Sequence, residues 1–284
     1  MITLEPHGDV TRVHCTSARS RLVGYSVSAY LVRGALVDTG FHGVREDVAR
    51  LLRERPLAGA LLTHKHEDHA GNVELLARAG VPLAMGAATL AAVRHVRPIR
   101  FYRRFTWEPM PSLTAPVEPL DPAAHGLALL PSPGHSADHH VVWDAATETL
   151  FGGDLFLGVK VRVAHPGEDP RQLAHSVRAA AALAPRRLFD AHRGLVERPV
   201  PLLLAKAAWL EETIGRIEEH ATRGWSDRAI RRDVLGREEP AGYFSRGDYS
   251  RLNFVRAVRR SGGTPPPASG ERSAARELEE TQGL

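Results

Sequence analysis

The spacing of apolar residues predicts that the chain begins with antiparallel strands followed by a helix. The runs Val27–Val32 and Ala35–Val37 are rich in β-forming residues, and Arg33-Gly34 between them is typical of a hairpin turn. Apolar residues then recur at helical spacing over residues 44–52, before a short apolar run at residues 60–62. A helix is therefore expected to lead the chain into a short buried strand.

Strands and helices are predicted to alternate through the middle of the chain. Strands are indicated at residues 81–84, 127–130, 140–143, 149–152 and 187–191, and helices at residues 72–79, 87–96 and 171–183. Strand formation is predicted to end near His192, and the chain after Val200 has a largely helical pattern. The fold class indicated is mixed α/β.

The last part of the chain differs in composition from the rest. From Ser261 it combines glycines, three consecutive prolines and charged residues with few apolar side chains. Burial cannot offset the ordering entropy of such a segment, so we expect residues 261–284 to be a disordered tail. We expect residues 1–198 to form the main domain and residues 199–260 a helical C-terminal extension, which could contribute substrate contacts or a homodimer surface.

The amino-acid composition is that of an ordinary globular protein, with 43% hydrophobic and 25% charged residues. No stretch reaches the roughly 18 apolar residues that span a membrane, and the start of the chain lacks the pattern of an export signal. Cys15 is the only cysteine, so one chain cannot form an internal disulfide or a thiolate metal cluster. We therefore expect a cytoplasmic protein with no membrane partner.

The excess of positive charge is small. The formal net charge is +4, and Lys65, Lys160 and Lys206 are the only lysines among the cationic residues. Because affinity for nucleic acid depends on clustered cations that release counterions, charge alone does not favour a nucleic-acid partner. We expect the partner to be a small-molecule substrate.

Four candidate metal ligands follow the predicted strand at residues 60–62. They are His64, His66, Asp68 and His69, in the run Thr-His-Lys-His-Glu-Asp-His-Ala-Gly. Imidazole and carboxylate groups suit zinc, iron or manganese, and a tight loop can direct alternate side chains at two neighbouring ions. One histidine here would indicate only a solvated loop, whereas four ligands in so short a run favour a metal site. Lys65 and Glu67 are predicted to face outward.

This run resembles the hallmark of the metallo-β-lactamase superfamily, His-x-His-x-Asp-His after a buried strand. Three further motifs resemble those of the family and follow in the same order. Gly134-His135 is similar to the third-histidine motif, Gly153-Asp154 to the bridging-aspartate motif, and Ala191-His192 to the final histidine motif. The resemblance covers the chain from Asp38 to Gly194, well over half of its length.

The resemblance implies an αββα sandwich whose two mixed sheets carry a two-metal site at one edge. One divalent ion would be bound by His64, His66 and His135, and the second by Asp68, His69 and His192. Asp154 would bridge the ions, which would be zinc, with iron or manganese as alternatives. Asp68 would also orient the nucleophile or transfer a proton as a catalytic residue. Asp38 resembles a position that supports the metal loops by hydrogen bonding, although a plain turn would explain it equally.

The function implied by the resemblance is hydrolysis, in which a hydroxide between the two ions attacks the carbonyl of an ester, thioester or lactone. The similarity to the glyoxalase II branch is broad, because the residues after Asp154 do not match its glutathione-binding pattern. Three alternatives stay open. They are a phosphodiesterase or ribonuclease on the same fold, an iron-dependent persulfide dioxygenase, and a binding protein without catalytic activity.

A basic and aromatic segment at residues 94–107 lies outside the metal motifs. Its alternating arginines and aromatic residues could bind an anionic substrate or pack as a surface insertion. The candidate substrate-binding residues there are Tyr102, Arg103, Arg104 and Trp107. We expect the histidines outside the four motifs, including His165, to lie at surface or core positions and to bind no metal.

Overall fold

Two β-sheets pack face to face in the computed structural model, which describes residues 1–261. The strands of the first sheet are β1 (Ile2–His7), β2 (Val10–Cys15), β3 (Val27–Val32), β4 (Ala35–Val37), β5 (Gly59–Leu61) and β6 (Leu83–Ala84). They lie side by side in chain order. Neighbours from β1 to β4 are antiparallel, whereas β4, β5 and β6 are parallel.

The second sheet has five strands that also lie in chain order. They are β7 (Ala128–Pro131), β8 (His140–Asp144), β9 (Thr149–Gly153), β10 (Arg187–Asp190) and β11 (Gly194–Val196). Only β9 and β10 are parallel; the other neighbours are antiparallel. A parallel pair requires a crossover, and the helix between β9 and β10 provides it.

The described residues form eleven α-helices. They are α1 (Ala18–Leu22), α2 (Arg45–Glu54), α3 (Glu67–Ala70), α4 (Val73–Arg78), α5 (Ala87–Arg94), α6 (Phe101–Thr106), α7 (Pro170–Ala182), α8 (Pro199–Thr222), α9 (Asp227–Ile230), α10 (Pro240–Phe244) and α11 (Arg251–Ser261). Short 3₁₀ turns lie at His42–Val44 and Pro122–His125, and a π-helical turn at Arg231–Leu235. Within residues 1–261, none of these helices has the length and hydrophobicity needed to cross a lipid bilayer.

Aromatic side chains fill the space between the sheets. The ring of Tyr30 on β3 lies 5.6 Å from the ring of Phe151 on β9 and 5.1 Å from that of Phe189 on β10, between ring centroids. The Tyr30 hydroxyl also donates a hydrogen bond to the carbonyl oxygen of Asp190 at 2.6 Å. Because large aromatic side chains bury much apolar area in a fixed geometry, this layer sets how the ends of the two sheets meet.

Helices cover both outer faces of the sandwich. α2, α4 and α5 pack on the first sheet, and α7, α8 and α11 pack on the second. The C-terminal helices share their buried apolar cluster with Leu188 of β10 and Leu150 of β9. The structure is therefore the αββα sandwich with C-terminal helices that the motifs predict.

Most of the predicted elements are present, with ends that differ by a few residues. The predicted hairpin of β3 and β4 is confirmed, and Arg33 and Gly34 at its turn both have positive φ, as such turns require. The predicted end of strand formation near His192 is wrong, because β11 pairs with β10 after a tight turn at Gly194, whose φ is 76°. The predicted tail lies outside the described residues, apart from Ser261, which ends α11.

An ion pair joins the two sheets at the turn between β3 and β4. Nε and Nη2 of Arg33 donate to the two carboxylate oxygens of Asp144 at 2.7 and 3.0 Å. The Asp144 side chain is fully buried, whereas that of Arg33 is 36% exposed. Burial alone would raise the pKa of Asp144, but hydrogen bonds from Arg33 and Thr147 outweigh it and lower that pKa.

We expect Arg33→Met to lower the free energy of unfolding at pH 7 by about 1–2 kcal/mol. This loss is smaller than that for breaking a fully buried ion pair, because Arg33 is partly exposed. Since the folded pKa of Asp144 lies below its unfolded value, the pair stabilises the fold above the unfolded pKa and stops doing so as the pH falls through the folded pKa. Urea unfolding should therefore show a difference from wild type that shrinks at acid pH. Arg53→Ala, an exposed arginine on α2, is the control, and a difference that persists in acid would contradict this account.

Candidate metal centre

The candidate metal ligands lie just beyond the carboxyl ends of four strands. The segment after β5 carries His64, His66, Asp68 and His69, that after β7 carries His135, and those after β9 and β10 carry Asp154 and His192. Because these strands belong to two facing sheets, their ends meet at one edge of the sandwich. The structure brings all seven side chains together there, in two adjacent groups.

The first group contains three histidines and Asp154. Nδ1 of His66 lies 2.9 Å from Nε2 of His64 and 3.0 Å from Nε2 of His135. Nε2 of His135 lies 3.2 Å from Oδ2 of Asp154. Three ring nitrogens and a carboxylate oxygen thus converge, which is the type of donor set that transition-metal ions prefer.

The second group contains Asp68, His69 and His192. Oδ2 of Asp68 lies 3.7 Å from Nε2 of His69 and 3.4 Å from Nε2 of His192. Oδ1 of Asp154 lies 3.3 Å from each of these two nitrogens. Asp154 therefore presents one carboxylate oxygen to each group.

Gly153 allows Asp154 to occupy this central position. Its φ is 49°, and a Cβ atom there would lie 2.8 Å from Nε2 of His139 and 2.9 Å from Oγ1 of Thr63. The backbone N–H of Asp154 donates to Nε2 of His139 at 3.0 Å, so Nδ1 of His139 carries the proton and donates to Oγ of Ser132 at 2.8 Å. His139 is thus a buried support of the backbone at Asp154 and lies outside both ligand groups, as expected from the sequence.

Asp38 holds the ligand segment after β5 in place. Its Oδ1 accepts a hydrogen bond from the backbone N–H of Thr63 at 2.8 Å, and its Oδ2 lies 2.8 Å from Nδ1 of His69. A proton on Nδ1 of His69 leaves Nε2 as the acceptor that faces the second group. The supporting role suggested for Asp38 is therefore confirmed, and its φ of 61° is one that aspartate tolerates.

His192 and His64 are oriented in a similar way. Nδ1 of His192 lies 2.7 Å from the carbonyl oxygen of Ser26, which can only accept, so this nitrogen donates and Nε2 is the free acceptor. Oδ1 of Asp190 accepts from the backbone N–H of His192 at 2.9 Å. Nδ1 of His64 lies 3.0 Å from Oγ1 of Thr63. Hydrogen bonds to the outer ring nitrogens thus fix the inner ones toward the site.

Burial controls the protonation of the first group. It lowers the pKa of His64 and of His66 well below the usual range, and that of His135 to about 3. Burial alone would raise the pKa of Asp154, but the adjacent imidazoles of His69 and His192 hold that pKa well below its usual range. Neutral imidazoles and an ionised carboxylate are the forms that bind metal ions.

Two buried polar atoms that face the second group indicate that a cation fits there. Nε2 of His69 and Oδ1 of Asp154 have no hydrogen-bond partner among residues 1–261. A buried polar atom without a partner is costly, and both of these atoms are acceptors that face the second group. A divalent metal ion would satisfy both, so the residues present fit metal binding.

Glu67 corrects one expectation from the sequence. It does not face outward: its carboxylate is 4% exposed and accepts from both Nε and Nη2 of Arg103 at 2.6 Å. The short helix α3 directs Glu67 away from the ligands and into the protein, because its neighbours Asp68 and His69 occupy the face toward the metal groups. Lys65 is half-exposed, and its Nζ donates to Asp138 at 3.0 Å.

A cavity of about 640 Å³ lies over both ligand groups, and we call it the metal cavity. Three of the four candidate substrate-binding residues line it: Tyr102, Arg103 and Trp107. The ring centroid of Trp107 lies 6.0 Å from that of His192. Arg104 lies outside this cavity and lines a neighbouring groove.

Three residues of the metal cavity were not identified from the sequence. His165 stacks on Tyr249, with ring centroids 4.8 Å apart, and the carboxylate of Glu168 lies 3.9 Å from Nδ1 of His135. All three side chains line the cavity. They come from the segment before α7 and from the turn before α11, where no local motif distinguishes them from surface residues.

Comparison with protein families identifies the segment that carries this site. Residues 22–192 match the model of the metallo-beta-lactamase superfamily. Two curated relatives are called beta-lactamase-like protein 2 homolog. The one from Drosophila melanogaster is 28% identical over 217 residues, which cover 67% of this chain and 68% of the relative. The one from Caenorhabditis elegans is 23% identical over 209 residues, which cover 65% and 64%.

Solved structures show the same fold. A metallo-beta-lactamase family protein from Thermus thermophilus superimposes with a TM-score of 0.64 at 18% identity, over 89% of this chain and 94% of that one. The protein TTHA1623, solved in a di-iron-bound form, gives a TM-score of 0.51 at 26% identity, over 65% of this chain and 93% of that one. The matched segment contains all seven candidate ligands, and the protein belongs to the metallo-beta-lactamase superfamily.

Proposed function

We propose that the protein is a binuclear metal-dependent hydrolase that cleaves an ester, thioester or lactone bond of a small anionic substrate. The observation that carries this proposal is the position of Asp154, whose two oxygens contact histidines of different groups at 3.2 and 3.3 Å. A carboxylate shared in this way is suited to hold two cations side by side. The proposal is further supported by the di-iron-bound form of TTHA1623, which is 26% identical to this chain.

Each of the two ligand groups would bind one of the proposed ions. His64, His66 and His135 would hold one, Asp68, His69 and His192 the other, and Asp154 both. We propose zinc as the metal, with iron or manganese as alternatives, because nitrogen and oxygen donors accept all three. When bound, such ions polarise a carbonyl oxygen and lower the pKa of water toward neutrality.

The remaining groups of the metal cavity would position the substrate. Asp68 lines the cavity, and its carboxylate can accept a hydrogen bond from a water molecule there or hold its proton. Trp107 is only 8% exposed and contacts the edge of the site near His192, so it excludes bulk water on that side. Tyr102 and Arg103 also line the cavity and stay proposed substrate contacts.

Metal content gives the first test. Protein purified without chelator should carry close to two transition-metal ions per chain, because each ligand group offers at least three donors. Elemental analysis of the purified protein measures this ratio. A ratio that stays near zero after metal supplementation would contradict the two-metal proposal.

Hydrolysis of a panel of esters, thioesters and lactones gives the second test. His66→Ala and Asp154→Ala should each lower kcat/KM by more than about 100-fold. Loss of a residue that only hydrogen-bonds to a metal ligand already lowers activity by about 10–100-fold, and loss of the ligand itself should lower it further. Circular dichroism should be nearly unchanged, because the two sheets keep their core. His125→Ala, in a distant 3₁₀ turn, is the control. Variants with full turnover and bound metal would place the site elsewhere.

The pair of Arg103 and Glu67 gives a third test, of stability. Arg103→Ala should lower the free energy of unfolding by about 3 kcal/mol, because it leaves the buried Glu67 carboxylate without its partner. Arg103→Lys should recover only part of this loss, since lysine cannot donate in the same forked geometry. Chemical denaturation of the metal-loaded protein measures both. Equal stabilities of Arg103→Ala and of Arg104→Ala, its exposed neighbour, would show that the pair has no such role.

A further inference from the structure

A second, larger cavity lies beside the metal cavity. It is a groove of about 1100 Å³ between α5, α6 and the segment that joins them, and we call it the basic groove. His66 and Arg103 line both the basic groove and the metal cavity. A molecule of moderate size can therefore occupy both cavities and have its central bond near the ligand groups.

The charged side chains of the groove are not balanced. Its two carboxylates already have partners, since Glu67 binds Arg103 and Asp248 accepts from Tyr102 at 2.8 Å. Arg97 and Arg104 are exposed and form no ion pair with any of residues 1–261. These two guanidinium groups are free to bind an anion, and their forked donors match the oxygens of a phosphate group.

The groove is partly apolar. Ala88, Ala91, Val96, Ile99 and Met110 line it together with the arginines. A ligand that is only a small inorganic anion would leave this surface uncovered. The combination suits a ligand with phosphate groups and an attached organic portion.

The metal cavity differs in character. Besides the metal ligands, its walls include Tyr25, Trp107, Val161, Val163 and Phe244. Tyr25 and Phe244 line this cavity while 44% and 48% exposed, so part of each ring is open to a ligand. An apolar group of a substrate would bury them.

We propose that the substrate is an ester or thioester that joins an apolar acyl group to a phosphorylated alcohol or thiol. The acyl group would lie in the metal cavity, and the phosphorylated portion in the basic groove, against Arg97 and Arg104. This proposal rests on the proposed hydrolase function. In the reaction, the oxygen of water bonds to the acyl carbon, the carbon–oxygen or carbon–sulfur bond breaks, and the leaving alcohol or thiol takes up a proton. Lactones are thereby disfavoured, because their leaving group stays attached to the acyl chain.

Two thioesters with the same acyl chain test this assignment. One is octanoyl-coenzyme A, and the other is octanoyl-N-acetylcysteamine, which has the same thioester but no phosphate. The test variant is the double substitution Arg97→Ala and Arg104→Ala, and the matched control is Arg94→Ala, an exposed arginine of the same segment that lines neither cavity. Because neither test arginine pairs with another described residue, the double variant should fold normally.

The double variant should raise KM for the coenzyme A thioester by at least about tenfold with little change in kcat, the pattern of lost uniform binding. Its kinetics with the N-acetylcysteamine thioester should stay within about twofold of wild type, as should those of Arg94→Ala with both substrates. Equal losses on both substrates, or no loss on either, would overturn the proposal.

Binding measurements separate this proposal from the proposed function. If neither thioester is hydrolysed, the hydrolase proposal fails for thioesters. The affinity of the basic groove for coenzyme A can still be measured by calorimetry. Coenzyme A should bind to the wild-type protein and about tenfold more weakly to the double variant. Absence of binding to wild type, or equal binding to both proteins, would show that the groove does not recognise phosphorylated compounds.

Discussion

The carboxylate of Asp38 is the contact on which the metal centre depends. It is buried just after β4, and it holds the backbone of Thr63, two residues beyond β5, and the ring of His69 in α3. Removing it would leave a backbone N–H and an imidazole buried without partners, and each such loss costs about 1–3 kcal/mol. Four of the seven candidate ligands lie in the segment that this side chain anchors at Thr63 and His69.

The ligands could be predicted from the sequence because their signal is local. Four of them occur within one short run after an apolar strand, and the others each follow a small residue at a strand end. Gly153 illustrates why the motif is specific: a side chain there would collide with His139 and Thr63, so only glycine lets the chain place Asp154 between the two groups. His139 and Thr63 are distant from Gly153 in sequence, so this glycine could be recognised through the Gly-Asp motif and not through its steric reason.

Contacts between distant segments could not be predicted in this way. Glu67 was expected to face outward because its neighbours are ligands, and its actual partner, Arg103, is 36 residues away. Tyr249 and His165 meet only after the C-terminal helices fold against the second sheet, since the two belong to separate segments. The β1–β2 hairpin, although local, was missed for another reason: β1 is largely exposed and contains Pro6, so its residues form no clear strand pattern. The walls of the metal cavity were therefore predicted only in part: the basic and aromatic segment supplied Tyr102, Arg103 and Trp107, but nothing local indicated Tyr249 or His165.

The ion pair of Arg103 and Glu67 lies between the basic groove and the candidate metal centre. Arg103 lines both cavities, and Glu67 is adjacent in sequence to Asp68. A groove ligand that drew the guanidinium toward itself would leave more uncompensated negative charge beside the centre and thereby tighten the binding of cations. By thermodynamic linkage, bound cations would then raise the affinity for that groove ligand by the same factor. The affinity for metal ions and the affinity for such a groove ligand would then be coupled through this one buried ion pair.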